Sequence, residues 1–145
     1  MSTAAVHASF LGTLRDLVSL TKPRITMMVV ITTLGGMWLA PVELSLGLVA
    51  VMLVATAAVV GSANALNCWM ERDVDRHMDR TAERPLPAGR LDTRLALGFG
   101  LGLGVLSVPV LTFAVNPLTG LVGASALVSY VALYTPLKQR SPAAL

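Results

Sequence analysis

Long segments without a charged residue restrict this chain to a membrane fold. Residues 44–70 form a run of 27 uncharged residues, and residues 95–137 form a run of 43. A helix needs roughly 20 apolar residues to cross the hydrocarbon core of a bilayer. Residues 25–42 add a shorter uncharged run of 18. Only 13% of the residues are charged, against roughly 25% in soluble domains, so a soluble globular domain is excluded.

These runs predict four membrane-spanning helices. The run of 43 residues is too long for one span, and Asn116-Pro117 near its middle is a turn signal. We therefore expect an all-α, polytopic membrane protein whose transmembrane domain covers residues 25–140. The predicted segments are an N-terminal segment 1–24, spans at about 25–42, 44–70, 95–115 and 118–137, a loop 71–94 and a tail 141–145.

The lysine and arginine residues predict the orientation of these spans. All 11 lie in the N-terminal segment, in the loop 71–94 or after the fourth span, and the other two connections contain none. Basic residues accumulate on the cytoplasmic side of a membrane. We therefore expect a multi-pass protein of the cell (inner) membrane, with its N terminus and the loop 71–94 in the cytoplasm.

Acidic residues follow the second predicted span at a spacing of four. Glu71, Asp75, Asp79 and Glu83 continue the line of Asn67, and residues four apart share one face of a helix. Like charges at this spacing repel, whereas Mg²⁺ binds carboxylate oxygens and shares substrate phosphates. The acidic line therefore indicates a metal–phosphate site at the membrane surface, with catalytic residues and metal ligands at Asn67, Glu71 and Asp75.

A simpler interpretation of the acidic line is a solvated helix with charge pairs three residues apart, such as Arg72 with Asp75. Asn67 weighs against it, because an amide within an apolar helix is costly without a partner. The basic residues nearby either mark topology and contact anionic lipid, or bind a diphosphate with their planar forks. In the second case the substrate-binding residues are Lys22, Arg24, Arg72, Arg80 and Arg90.

Four glycines in the third predicted span alternate with apolar residues, at Gly98, Gly100, Gly102 and Gly104. No strand or flanking charge supports a nucleotide-binding loop. The glycines form two overlapping Gly-xxx-Gly pairs, which are typical of close helix packing in lipid.

The residues around the acidic line resemble those of a known family of membrane enzymes. Asn67-x-x-x-Glu71-x-x-x-Asp75 resembles the first aspartate-rich motif of UbiA-type intramembrane prenyltransferases, although Glu71 stands where aspartate is commoner. Within that superfamily the resemblance is to protoheme IX farnesyltransferases, and it covers about residues 15–140. Its segments are Leu20-Thr-Lys-Pro-Arg-Ile25, the stretch 67–86 and Tyr134-Thr-Pro-Leu-Lys138.

The resemblance implies that the four spans form part of a UbiA-type helical bundle. It implies a Mg²⁺-dependent transfer of the farnesyl group from farnesyl diphosphate to a vinyl group of haem B (protoheme IX), which makes haem O. Metal–diphosphate ligands would be Asn67, Glu71 and Asp75, and Arg90 would bind the diphosphate. The implied partners are these two substrates and the lipid bilayer, and no nucleic acid.

Family members have about twice as many helices and a second acidic motif, so we expect this chain to be a fragment that is inactive alone. Two other functions stay open. One is a UbiA-type prenyltransferase with an aromatic or quinone-precursor acceptor. The other is a non-catalytic membrane module that binds divalent cations or anionic lipid. An assay of farnesyl transfer to haem B separates all three.

Overall fold

The computed structural model describes the backbone of residues 3–140 and the side chains of residues 10–140. All regular secondary structure in this range is helical, as predicted. π-helical segments at Leu111–Val115 and Ser129–Tyr134 continue the fourth and fifth helices. The predicted tail 141–145 lies outside the described residues. The helices are α1 Thr3–Leu20, α2 Pro23–Leu39, α3 Leu46–Asp75, α4 Thr93–Val110, α5 Pro117–Val128 and α6 Thr135–Arg140.

Three helical stretches are long and apolar enough to cross a membrane, namely Leu46–Asp75, Thr93–Val115 and Pro117–Arg140. α2 has 17 residues and ends at Leu39, three residues before the predicted end of the first span. Its 17 residues are at the lower limit of the length that crosses a bilayer. Counted together with Phe10–Leu20 of α1, from which it is bent by 53°, it is a fourth candidate span. The chain is thus an all-α membrane protein, and its N-terminal segment contains a helix that the sequence did not predict.

α3 ends at Asp75, five residues past the predicted end of the second span at residue 70 and inside the predicted loop 71–94. The hydroxyl group of Thr81 donates a hydrogen bond to the backbone carbonyl of Asp75 at 2.9 Å. The guanidinium group of Arg84 forms an ion pair with the Asp75 carboxylate, also at 2.9 Å. Both contacts fold the following loop back over the end of α3. Asp79 and Glu83 consequently lie exposed in turns, and the acidic line is helical only over residues 67–75.

α3 and α4 pack closely because small residues face one another. The Ser62 hydroxyl donates to the backbone carbonyl of Gly100 at 2.7 Å. A Cβ atom added at Gly100 would lie 2.9 Å from the Leu66 Cδ2 atom, and one at Gly104 would lie 2.8 Å from the Ser62 Oγ atom. A Cβ atom at Gly98 or Gly102 would meet no described atom within 4 Å. One Gly-xxx-Gly pair therefore contacts α3, and the other does not.

Gly104→Val should destabilise the protein by about 1–3 kcal/mol, the usual cost of forcing extra carbon atoms into a close contact. The added side chain has to displace Ser62 and Leu127, which lie within 3.0 Å of the new Cβ position. Gly102→Val is the matched control, since the same change on the same helix meets open space. Thermal unfolding in detergent measures both variants, and equal destabilisation of the two would contradict this packing.

Candidate functional site

Buried polar side chains concentrate in the last three turns of α3. Asn64, Asn67, Glu71 and Asp75 are all between 2% and 6% exposed. A buried polar group is costly unless it has a hydrogen-bonding partner. Partners for all four come from outside α3, so this end of the helix is where separate parts of the chain meet.

Asn67 joins three helical elements. Its Oδ1 atom accepts a hydrogen bond from the Lys22 ammonium group at 2.9 Å, and its Nδ2 atom donates to the Thr135 hydroxyl at 3.2 Å. Thr135 in turn donates to the backbone carbonyl of Tyr130 at 2.9 Å, across the wide turn of the π-helical segment. π-helical turns occur frequently at functional sites. The hydrogen-bonding partners of this buried amide are therefore two side chains, Lys22 at the junction of α1 and α2 and Thr135 of α6.

Lys22 reaches Asn67 from an unusual backbone conformation. Its φ and ψ angles are 49° and 68°, in the left-handed region that lysine rarely adopts. Neighbouring contacts hold this junction, because the Asn64 amide donates to the Thr21 carbonyl at 3.0 Å and Thr26 donates to the same oxygen at 2.8 Å. Residues held in such conformations cluster at functional sites. The junction of α1 and α2 thus directs an ammonium group toward α3.

The two carboxylates have basic partners as well. The Lys138 ammonium group lies 3.2 Å from the Glu71 Oε1 atom, and the Arg84 guanidinium group lies 2.9 Å from the Asp75 Oδ2 atom. Each polar side chain on this face of α3 therefore has one basic partner. Asn67 pairs with Lys22, Asp75 with Arg84 and Glu71 with Lys138. These partners relieve the expected repulsion within the acidic line, so the line does not require a metal ion to be stable.

Arg72 does not form the charge pair with Asp75 that the simpler interpretation proposed. Its guanidinium group lies over the Trp69 ring, 4.6 Å from the ring centroid, and donates to the Trp69 carbonyl at 2.6 Å. It also lies 3.7 Å from the exposed Asp73 carboxylate. Arg72 consequently faces away from the buried carboxylates.

Two cavities with charged side chains in their lining meet at Lys22, Asp75 and Arg84, which line both of them. The smaller cavity has a volume of about 330 Å³ and is also lined by Glu71, Arg80 and Lys138. The larger cavity, about 650 Å³, lies beneath α1. Its further charged side chains are Arg15, Asp16 and Arg90.

The other sequence-predicted substrate-binding residues are distributed unevenly. Arg80 lines the smaller cavity and is exposed. Arg90 lines the larger cavity, lies 3.7 Å from the Asp16 carboxylate and donates to the Glu83 carbonyl at 3.1 Å. Arg24 is exposed on the first turn of α2 and lines neither cavity. The site thus brings together Lys22 and Arg80 with the acidic line, but not Arg72 or Arg24.

Sequence reasoning missed two basic residues that contact the carboxylates directly, Arg84 and Lys138. Neither is among the substrate-binding residues predicted from the sequence. The resemblance around residues 134–138 was the available signal for Lys138. For Arg84 the signal was its position next to Pro85, where the chain has to turn.

The oxygen atoms at this site are chemically suited to Mg²⁺. Two buried carboxylates and one amide oxygen are hard ligands, and Mg²⁺ is usually held by one or two carboxylates together with substrate phosphates. Among the described side chains, those of residues 10–140, no group of three or more His, Cys, Asp or Glu residues is arranged to hold a metal ion. A metal ion here would therefore need oxygen atoms from a bound phosphate to complete its coordination.

A model of the UbiA prenyltransferase family matches residues 29–145 of the chain. A protoheme IX farnesyltransferase of Anaeromyxobacter dehalogenans is 52% identical over 135 residues, which are 93% of this chain and 46% of that relative. One of Myxococcus xanthus is 52% identical over 130 residues, 90% of this chain and 44% of the relative. The chain spans about half the length of the curated relatives it matches. No solved structure matches it.

Proposed function

Because the chain belongs to the UbiA prenyltransferase family, we propose that it takes part in the transfer of a farnesyl group from farnesyl diphosphate to haem B. The product would be haem O. The names of relatives that are 52% identical support this choice of substrates over an aromatic or quinone-precursor acceptor. The buried group of Asn67, Glu71 and Asp75 beside the smaller cavity is the observation that carries the proposal.

The smaller cavity suits the diphosphate of the donor. Lys22, Arg80, Arg84 and Lys138 line it together with the two carboxylates, so basic groups outnumber acidic ones. With a metal–diphosphate bound, Glu71 and Asp75 would hold the metal ion in place of their ammonium and guanidinium partners. Lys138 and Arg84 line the same cavity and would then donate charge-assisted hydrogen bonds to the phosphate oxygens.

The reaction breaks the allylic C–O bond of farnesyl diphosphate and leaves positive charge on the farnesyl carbon. A vinyl carbon of haem B forms the new C–C bond, and water adds to the neighbouring carbon with loss of a proton. The basic groups of the cavity stabilise the departing diphosphate, which lowers the barrier to breaking the C–O bond. Mg²⁺, held by Asn67, Glu71 and Asp75, would supply further neutralisation of the diphosphate charge.

We further propose that the site faces the cytoplasm in the inner membrane, as the one-sided basic residues predict. In intact cells, a membrane-impermeant thiol reagent should label Glu43→Cys and leave Asp79→Cys unlabelled. Both positions are exposed, and the native Cys68 is buried, so the unsubstituted chain gives the background. Labelling of Asp79→Cys from outside the cell would reverse the orientation.

A chimera tests the proposed reaction. It joins residues 1–145 to the part of the Anaeromyxobacter dehalogenans relative that the chain does not match. Membranes that contain the chimera, supplied with haem B, farnesyl diphosphate and Mg²⁺, should form haem O that is detectable by mass spectrometry. Each half expressed alone is the control. If the chimera inserts but makes no haem O while the intact relative does, the assignment of haem B is wrong.

A further inference from the structure

A hydrogen-bonded junction holds α1 at an angle to α2. Residues Phe10–Leu20 of α1 are bent by 53° from α2. The Lys22 N–H group donates to the Ser19 carbonyl at 3.1 Å, and the Lys22 ammonium group donates to Asn67 at 2.9 Å. Asn67 lies where the apolar part of α3 gives way to charged residues. The contact between Lys22 and Asn67 therefore fixes the C-terminal end of α1 at the depth where α3 leaves the hydrocarbon core.

α1 has two chemically different faces. The polar face of α1 lines the 650 Å³ cavity and consists of Gly12, Arg15, Asp16 and Ser19. Phe10, Leu11, Leu14 and Val18 form the apolar face, and their side chains are 61%, 63%, 42% and 55% exposed. At 3.6 residues per turn these four residues share one side of the helix, away from the cavity. A separate strip, Leu17 and Leu20, packs against the core next to Cys68.

The chemistry of these two faces favours a position of α1 at the membrane surface over a position in the first span. If α1 continued α2 as a broken span, Arg15 and Asp16 would enter the hydrocarbon core, where charged side chains are costly. Helices that lie in the membrane interface carry basic residues and place an apolar face at the boundary between headgroups and acyl chains. Arg15 and Arg24 are exposed at this end of the molecule and match that pattern.

We propose that α1 lies in the plane of the membrane surface, with its apolar face in the headgroup–acyl boundary and its polar face over the larger cavity. The 53° bend between the two helices places α1 in this plane when α2 is tilted by about 37° from the membrane normal, within the range of membrane-spanning helices. The helix is then neither a part of the first span nor a docking site for a second copy. In this position the 650 Å³ cavity lies at the membrane–water boundary, where the anionic group of an amphiphile is itself located.

Spin labels at four positions test the location of α1 in liposomes. Leu11→Cys and Val18→Cys lie on the apolar face, seven residues or about two turns apart. Gly12→Cys and Ser19→Cys have the same separation on the polar face, and a Cβ atom at Gly12 meets open space. The buried Cys68 makes the unsubstituted chain the labelling control. Collisions with oxygen report lipid exposure, and collisions with a water-soluble nickel chelate report water exposure.

We expect the two labels on the apolar face to favour oxygen and to lie at similar, shallow depths. The two labels on the polar face should favour the nickel chelate. A broken span with α2 along the membrane normal would incline α1 by 53° to the normal and separate the depths at Leu11 and Val18 by about 6 Å, at 1.5 Å per residue along the helix. This result would overturn the proposal. Shielding of the apolar labels from both reagents would also overturn it, because a second copy or another protein would then cover that face.

Discussion

Farnesyl transfer by the chimera should fall by on the order of 100- to 1,000-fold when Asp75 is replaced by asparagine, the loss typical of removing one preorganised electrostatic group. The replacement keeps the size of the side chain but removes a buried charge at the metal–diphosphate site. Glu71→Gln should have a similar effect for the same reason. Both proteins should still insert into the membrane, since the apolar spans are unchanged. Haem O formation measured by mass spectrometry gives the activity.

Asp73→Asn is the matched control for these variants. Asp73 lies on the same helix, two residues before Asp75, but its side chain is 68% exposed and lies 3.7 Å from Arg72. Activity should stay close to that of the unsubstituted chimera. Near-normal activity of both Asp75→Asn and Glu71→Gln would remove these carboxylates from the proposed site, whatever the control shows.

Exchanging the charges of Glu71 and Lys138 should separate stability from activity. Lys138→Glu alone brings two carboxylates together where the structure has a 3.2 Å ion pair. We expect a loss of about 1–3 kcal/mol in the free energy of unfolding, less than for a fully buried pair, because the Lys138 side chain is 36% exposed. Adding Glu71→Lys restores an ion pair with the opposite polarity. The double variant should therefore recover much of the lost stability.

Activity should not recover in the double variant, because α3 then presents an ammonium group where the proposal needs a metal-binding carboxylate. Thermal unfolding and haem O formation are measured for the two single variants and the double variant, which together form a thermodynamic cycle. If activity returns together with stability, the contact between Glu71 and Lys138 is only a structural ion pair. That outcome would favour the simpler interpretation of the acidic line, a helix with charge pairs.

The sequence predicted the acidic side of the site better than its basic side. Asn67, Glu71 and Asp75 lie on one face of α3 because the four-residue spacing holds as long as the helix continues. Lys138 reaches Glu71 across 67 residues of sequence, so the contact depends on how α6 packs against α3. The π-helical segment Ser129–Tyr134 sets the orientation of α6, and no local sequence pattern predicted this segment.

Two local features of the helices were not predicted. α3 continues five residues past the predicted end of the second span at residue 70, to Asp75, where contacts from Thr81 and Arg84 fold the chain back. α1 was missed because Arg15, Asp16 and Ser19 interrupt its apolar residues. A search for uncharged runs detects spanning helices and overlooks a helix with one apolar face.

Isothermal titration calorimetry of farnesyl diphosphate with the 145-residue chain in lipid nanodiscs tests most directly whether Glu71 and Asp75 hold a metal–diphosphate. We expect binding that requires Mg²⁺ and disappears with a chelator. The affinity should fall at least about tenfold in Asp75→Asn and Glu71→Gln, as a damaged metal site would require, and stay unchanged in Asp73→Asn. Binding of equal affinity without Mg²⁺, or in a variant that lacks both carboxylates, would contradict the metal–diphosphate site.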